Sequence, residues 1–169
     1  MEKITNTVKH FKMPDQLKPY LRKGKWNVIA IDWSSLSGEH YNIAVANARS
    51  VAVLLARWLS RIMIEGHATT CNTNLVGHSI GAHIAGILGK CTMGKKIAKI
   101  YALDPPKIIY ERKPETERLH KSDANFVLVI HTCSGIISFV TNIGHVDFYP
   151  NGGLCQQPNC FNLVLRVYE

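Results

Sequence analysis

The sequence predicts an α/β fold built on a mainly parallel β-sheet. Three observations support this prediction. Apolar segments of strand length alternate with helical segments, the apolar segments lack the polar–apolar alternation of a half-exposed sheet, and a glycine-flanked turn joins one strand to one helix. The chain has 169 residues, which is long enough for a sizeable core, so we predict a single domain over 1–169. The strands are few, which predicts an incomplete sheet.

The predicted elements follow one another in an order that builds strand–helix–strand units. The run WNVIAIDW is continuously apolar, as in a strand covered on both faces. The longest helical segment places its polar residues near one side, which predicts a helix packed broadly on a sheet. In chain order the elements are a short helix (14–23), a strand (26–33), a long helix (43–65), a strand (73–78), a helix (80–91), two strands (97–104 and 126–132) and a terminal strand-like segment (161–169), with an irregular segment at 107–122 and a turn-rich loop at 144–153.

A glycine-flanked serine lies between the predicted strand at 73–78 and the helix that follows. It forms the sequence Gly-His-Ser-Ile-Gly, which has the G-x-S-x-G pattern of a nucleophile elbow. In such a turn the serine hydroxyl projects above the sheet edge, and we expect Gly77 and Gly81 to relieve crowding there. The N–H of Ile80, at the start of the helix, is the expected oxyanion donor. The pattern therefore predicts Ser79 as the nucleophile of an esterase or lipase of the α/β-hydrolase type.

An acid follows the next apolar strand. In α/β-hydrolases the triad acid follows the nucleophile in the chain, and Asp104 ends the strand after the elbow. Because the carboxyl ends of parallel strands meet at one sheet edge, Asp104 is the predicted triad acid. The alternative is a turn or helix-capping aspartate before Pro105. Asp123 and Asp147 are weaker candidates, since neither directly ends an apolar strand.

The histidine base is harder to find. Three histidines follow the predicted acid, namely His120, His131 and His145. His131 lies inside an apolar strand, which predicts a hydrogen-bonded core histidine, and His145 lies in the turn-rich loop, where an orienting or structural role is expected. His78 and His83 flank the nucleophile too closely in sequence to approach its hydroxyl as a base.

Composition and charge bear on the class of partner. The formal net charge is +8, and the basic residues are densest in the first 25 residues. We interpret this excess as a solvated basic face, with attraction to an anionic lipid surface as the alternative. The absence of basic–aromatic alternation predicts no nucleic-acid partner, and no apolar run predicts a transmembrane segment. No metal-ligand spacing is present, and we expect no metal and no cofactor.

The cysteines form an odd set of five. Cys155 and Cys160 are close enough in sequence to pair across a loop. In a secreted fold an odd cysteine indicates a missing partner or a free thiol. No apolar leader precedes Lys25, so the sequence alone does not indicate secretion.

Several segments, in this order, resemble the pancreatic lipase family, and most closely its insect members and the wasp-venom type of phospholipase A1. The resemblance implies an extracellular serine hydrolase that cleaves carboxylic esters of triacylglycerols or phospholipids at a lipid interface. It also implies Ser79 as nucleophile, Asp104 as acid and Ile80 as oxyanion donor. The segments are NVIAIDW (27–33), NLVGHSIGAHIAG (74–86), ALDP (102–105), SDANFVLVIHT (122–132) and GHVDFYPNGG (144–153), followed by the Q-x-P-x-C pattern (157–160).

The chain departs from the family pattern at three places. The family's catalytic histidine is expected beyond the last residue, Glu169, and with it the partner of Cys160. The family's upstream His-Gly-aromatic segment, a second source of oxyanion donors, has no match in 10–12. The loop after the acid begins with Pro105 and Pro106 in place of the usual Ala-Gly. We therefore expect a domain truncated at both ends, nearly inactive alone and marginally stable.

Two alternative functions remain open. A non-catalytic lipid-binding or storage protein on the same scaffold is favoured by the missing base. An esterase or acyltransferase with a water-soluble substrate is also compatible with the motifs, because fold alone does not decide function.

Overall fold

The structure, a computed structural model, describes residues 17–38, 40–92 and 94–159. The chain divides into two compact units, 1–33 and 34–169, and each is described by itself. In the first unit, helix α1 (Lys18–Arg22) lies within the predicted helix, and its residues are exposed. The start of that prediction, 14–16, and the predicted terminal segment, 161–169, lie outside the described residues.

The strand predicted for Trp26–Trp33 is not found. These residues form no strand in the part of the chain that the structure describes, and the side chains of Trp26, Ile29 and Ile31 are 50, 56 and 46 % exposed. A strand exists only where a neighbouring strand completes its hydrogen-bond ladder. An apolar run of the right length is therefore not sufficient to predict one.

The second unit contains a parallel sheet with the strand order β1-β2-β3-β4. Three predicted strands are confirmed with small shifts at their ends, whereas β4 lies inside the segment predicted as a loop. A strand of three residues between turn residues is too short to give a periodic pattern, which is why the sequence did not indicate it. The strands are β1 (Asn74–His78), β2 (Ile97–Leu103), β3 (Ala124–Ile130) and β4 (Val146–Phe148).

Helices α2 (Ser34–Ser37), α3 (Tyr41–Ile64) and α4 (Ile80–Lys90) accompany this sheet. The long predicted helix corresponds to α3, whose buried face is rich in alanine. Among the described residues, one helix is long and apolar enough to cross a membrane, and this helix is α3. Length and composition alone are weak support for a span, because a core helix passes the same test. The buried residues of α3 are Ala44, Val45, Ala48, Val51, Ala52, Ala56 and Leu59.

The core lies between α4 and the central strands. Ile97 and Ile100 of β2 and Val127 and Val129 of β3 are fully buried. The segment between β2 and β3 is irregular, as predicted, and contains three short 3₁₀ turns. Helix α4 approaches the third of these turns so closely that a β-carbon at Gly89 would overlap backbone atoms there. Small residues on α4 thus allow this helix to pack closely against the turn before β3.

Candidate active site

Ser79 occupies a strained turn between β1 and α4. Its backbone angles are φ 52° and ψ −130°, a conformation that non-glycine residues seldom adopt. Such a conformation costs of order 1–3 kcal/mol and persists only where the surrounding structure imposes it. Here the backbone N–H of Ser79 donates a 2.9 Å hydrogen bond to the Leu103 carbonyl at the end of β2. The predicted elbow therefore has the expected backbone form.

The two glycines of the elbow differ in the space available for a β-carbon. A β-carbon at Gly77 would lie 2.7 Å from the backbone nitrogen of Ala82 and would overlap the Gly81 carbonyl. A β-carbon at Gly81 would meet nothing within 4 Å. The prediction that both glycines relieve crowding is thus wrong for Gly81. The physical reason is that only Gly77 faces the first turn of α4.

Ile80 is the first residue of α4, and its side chain is buried. The first N–H groups of a helix have no intrahelical acceptor and lie at the positive end of the helix dipole. The backbone of Ile80 therefore presents a donor beside the Ser79 side chain, which is half-buried. This is the local arrangement that an oxyanion donor requires.

Asp104 follows β2 and lies next to the elbow along the sheet edge. In the parallel register His78 of β1 pairs with Leu103 of β2, so Ser79 and Asp104 follow the ends of neighbouring strands. Asp104 also has a positive φ, 45°. Its backbone N–H donates a 2.8 Å hydrogen bond to the Ile130 carbonyl at the end of β3. The structure thus brings the predicted nucleophile and the predicted acid to the same edge.

The Asp104 carboxylate is held by residues that sequence reasoning did not single out. Its Oδ1 accepts hydrogen bonds from the N–H of Thr132, at 2.6 Å, and of Cys133, at 3.3 Å. Its Oδ2 accepts a short hydrogen bond from the Thr132 hydroxyl. Its position in the sequence could have indicated this contact, because Thr132 comes just after the strand beside β2.

His131 is a buried structural histidine, as predicted. Its Nε2 lies 2.8 Å from Asp147 Oδ1 and its Nδ1 lies 2.7 Å from Ser138 Oγ. The ring stacks on Tyr149 with centroids 4.6 Å apart. Asp147 also accepts N–H bonds from the loop before β4. His131 therefore joins the end of β3 to β4.

His83 lies on α4 and is fully buried against the loop that follows Asp104. Burial lowers the pKa of His83 from 6.5 to about 3, so the imidazole is neutral at ordinary pH. Its Nδ1 accepts a 3.0 Å bond from the Leu119 N–H, and its Nε2 donates a 2.9 Å bond to the Pro106 carbonyl. The ring also stacks on Tyr110, whose pKa is raised by burial. His83 thus fixes the loop beside the acid.

No histidine base is present in the observed contacts. Within 17–38, 40–92 and 94–159, no histidine forms a hydrogen bond with the Ser79 hydroxyl or the Asp104 carboxylate. His145, the other weighed candidate, accepts a 3.0 Å bond from the Val127 N–H. In the same described ranges, no three His, Cys, Asp or Glu side chains converge as a metal site requires.

The sequence left the disulfide pairing open. In the structure Cys155 pairs with Cys133, and Cys160 lies outside the described residues. The two paired cysteines are 22 positions apart in sequence. They meet because the Ser134 N–H donates to the Gly153 carbonyl at 2.8 Å, which brings the loop after β3 against the loop after β4. The partner of Cys155 is therefore set by contact between two loops and not by closeness along the chain.

Comparison with known proteins identifies the family. The profile described as Lipase matches residues 5–168. Lipase member H of Xenopus tropicalis is 40 % identical over 156 residues, which cover 92 % of this chain and 33 % of that protein. Pancreatic triacylglycerol lipase of Mus musculus is 36 % identical over 159 residues (90 % and 34 %). Inactive pancreatic lipase-related protein 1 of Homo sapiens is 38 % identical over 152 residues (86 % and 32 %).

The chain spans about a third of the length of these curated relatives. Its four parallel strands and their helices form an incomplete α/β-hydrolase fold. The profile match extends over nearly the whole chain, and the relatives share more than a third of the aligned residues. Together these matches show that the chain belongs to the pancreatic lipase family.

Proposed function

We propose that the chain carries the nucleophile and the acid of a serine hydrolase that cleaves carboxylic esters of lipids. The observation that carries this proposal is the placement of Ser79 and Asp104 after neighbouring strands, each with a positive φ, at one sheet edge. Strained backbone concentrates at functional sites, and here it occurs at two residues with reactive side chains at one edge of the sheet. The relative from Mus musculus is named as a triacylglycerol lipase, which supports an acyl ester substrate.

The proposed chemistry assigns a separate role to each group. The Ser79 hydroxyl attacks the ester carbonyl carbon and forms a tetrahedral intermediate, while a histidine base, which the described residues do not supply, accepts the hydroxyl proton. The Ile80 N–H stabilises the negative oxygen of that intermediate. Asp104 orients the histidine and stabilises its protonated form. The intermediate then expels the alcohol, which takes the proton from the histidine, and water hydrolyses the acyl-serine by the reverse sequence.

The substrate and compartment are also proposals. Triacylglycerols or phospholipids are the proposed substrates, with cleavage of the phospholipid A1 ester as the narrower possibility. We propose an extracellular location, which the Cys133–Cys155 disulfide supports because disulfides persist in oxidising compartments.

A second candidate is a non-catalytic lipid-binding protein on the same scaffold. It is favoured by the Ser79 hydroxyl, which has no hydrogen-bond partner among the described residues. A serine without a neighbouring base is a weak nucleophile. One relative is itself named as inactive. In this second hypothesis, the sheet edge binds lipid but does not hydrolyse it.

A fluorophosphonate probe and added imidazole distinguish the two candidates. Imidazole is a soluble substitute for the histidine base, so it should accelerate labelling of Ser79 and hydrolysis of a p-nitrophenyl ester by the protein. Ser79→Ala should abolish both the labelling and the protein-dependent hydrolysis. Ser50→Ala, which changes an exposed serine on α3, is the matched control and should behave as wild type. Folded protein that binds lipid vesicles but shows no labelling at any imidazole concentration would favour the non-catalytic candidate.

A further inference from the structure

Thr132 occupies the position from which the Asp104 carboxylate is oriented. It lies two residues after the end of β3, on the side of Asp104 away from the elbow. We infer that Thr132 is the positioning residue for Asp104, and that the loop containing Cys155 and Gln157 fixes Thr132 in turn. This inference deepens the proposed hydrolase function and rests on it.

Three hydrogen-bond donors reach the Asp104 carboxylate. Thr132 supplies two of the three, its N–H to Oδ1 and its hydroxyl to Oδ2, and the Cys133 N–H supplies the third. Because the two Thr132 donors engage different oxygens, they fix the rotation of the carboxylate as well as its position. An ionised carboxylate has about four acceptor sites. One site therefore stays open for a donor such as an imidazole N–H.

The carbonyl of Thr132 is held by a different residue from the one that its N–H contacts. The Gln157 side-chain amide lies 2.9 Å from the Thr132 carbonyl, 3.1 Å from that of Pro150 and 2.7 Å from that of Leu154. Its Oε1 accepts a 2.6 Å hydrogen bond from Asn151 Nδ2. One side chain thus connects Thr132 to the loop after β4. The backbone of Thr132 is held by the acid on one side and by Gln157 on the other.

A disulfide also restrains the segment that contains Thr132. Cys133, the residue after Thr132, is bonded to Cys155, which lies two positions before Gln157. The same loop thus restrains Thr132 through a covalent bond and through hydrogen bonds. Covalent closure reduces the freedom of both loops, and the Cys133 N–H stays within reach of Asp104. Charge-assisted hydrogen bonds are about twice as strong as neutral ones, so a donor fixed in this way acts strongly on the carboxylate.

A purely structural role for Thr132 makes a different prediction. A cap that only stabilises the end of β3 would lower the free energy of unfolding when removed, but it would leave the turnover of folded protein unchanged. A positioning residue would lower kcat with little change in KM, because the acid acts on the base and not on the bound ester. A serine at this position keeps the hydroxyl and should restore the function.

The experiment compares Thr132→Val with Thr132→Ser. The first variant removes the hydroxyl at nearly constant volume, and the second retains it. Thr73→Val is the matched control, since the Thr73 hydroxyl donates to the Thr69 carbonyl before the start of β1, at the opposite end of that strand from Ser79. For hydrolysis of a p-nitrophenyl ester in the presence of added imidazole, which supplies the base that Asp104 orients, we expect Thr132→Val to lower kcat on the order of 10- to 100-fold, the equivalent of one hydrogen bond to a charged group, with KM unchanged. Thr132→Ser and Thr73→Val should retain nearly all of the wild-type kcat.

Amide hydrogen exchange provides the readout that does not depend on turnover. In ¹⁵N-labelled protein the Thr132 and Cys133 amides should exchange faster in Thr132→Val and in Asp104→Ala than in Thr132→Ser. Wild type that turns over no ester but shows this pattern would contradict the proposed hydrolase while supporting the placement of Thr132. Equal exchange in all variants, or equal kcat in folded Thr132→Val and wild type, would overturn the inference.

Discussion

The backbone N–H of Ser79 donates a 2.9 Å hydrogen bond to the carbonyl of Leu103, the residue directly before Asp104. The elbow and the acid are therefore linked through the backbone, before any side chain takes part. The bond extends the parallel β1–β2 register by one residue beyond the strand ends. A shift of that register would move Ser79 relative to Asp104, which makes the register a determinant of the site.

Gly77 and Gly81 should respond differently to alanine. In Gly77→Ala the new methyl would overlap the first turn of α4, so we expect the free energy of unfolding to fall by about 1–3 kcal/mol or more. In Gly81→Ala the methyl enters open space, and the free energy of unfolding should be unchanged or rise by up to ~1 kcal/mol. Urea unfolding followed by circular dichroism measures both values. Equal losses in the two variants would contradict the assignment of the crowding to Gly77 alone.

The disulfide should stabilise the fold through its loop. Closing a loop over a separation of 22 residues contributes about 3 kcal/mol in the chain-entropy treatment. The double variant Cys133→Ser/Cys155→Ser should lose approximately this amount in urea unfolding. Cys71→Ser, at an exposed free cysteine, is the control and should unfold like wild type. Peptide mapping without reductant checks the connectivity, and recovery of a peptide joining Cys155 to Cys160 would contradict it.

Burial of His83 should make stability depend on pH. The pKa of His83 is about 3 in the folded protein and about 6.5 when the ring is solvated. The unfolded chain therefore binds a proton between these values and the folded chain does not. The stabilisation is complete above pH 6.5 and is lost as the pH falls towards 3, by up to ~1.4 kcal/mol per pH unit.

His83→Gln is the control variant, because the glutamine side chain does not titrate. The difference in the free energy of unfolding between wild type and His83→Gln should shrink as urea unfolding is repeated at decreasing pH below 6.5. Parallel pH curves for the two proteins would mean that the folded state accommodates a charged His83. That result would contradict the hydrogen bond from the Leu119 N–H to Nδ1.

Asp147 should be essential to the junction between β3 and β4. It accepts hydrogen bonds from the Ile143 and Gly144 N–H groups and lies 2.8 Å from His131, with its side chain 2 % exposed. Asp147→Ala leaves these buried groups without an acceptor, so we expect a loss of about 3–5 kcal/mol in unfolding free energy. Thermal unfolding measures the effect. Glu111→Ala, at an exposed acid, is the control, and equal melting temperatures for the two variants would contradict this role.

Sequence patterns predicted most of the second unit. The apolar runs and the G-x-S-x-G motif placed β1, α4, β2 and β3 to within about two residues, because a buried parallel strand and a small-residue helix leave strong local signals. The roles of Ser79, Ile80 and Asp104 remain predictions. Their expected places, after one strand, at one helix start and after the next strand, agree with the structure.

Other features had no local signal. The strand predicted at 26–33 did not form, because pairing depends on a neighbour that an apolar run does not supply. The donors to Asp104 come from residues 28 and 29 positions away, and Cys133 joins a cysteine 22 positions away. Contacts at such separations are set by how the strands align. The sequence by itself determined where α4 and three strands of the parallel sheet form. Only the tertiary structure decided that Thr132 holds the acid, since this depends on the distance between segments that are remote in the chain. It also decided which of the two elbow glycines is crowded, since this depends on how the first turn of α4 lies against Gly77.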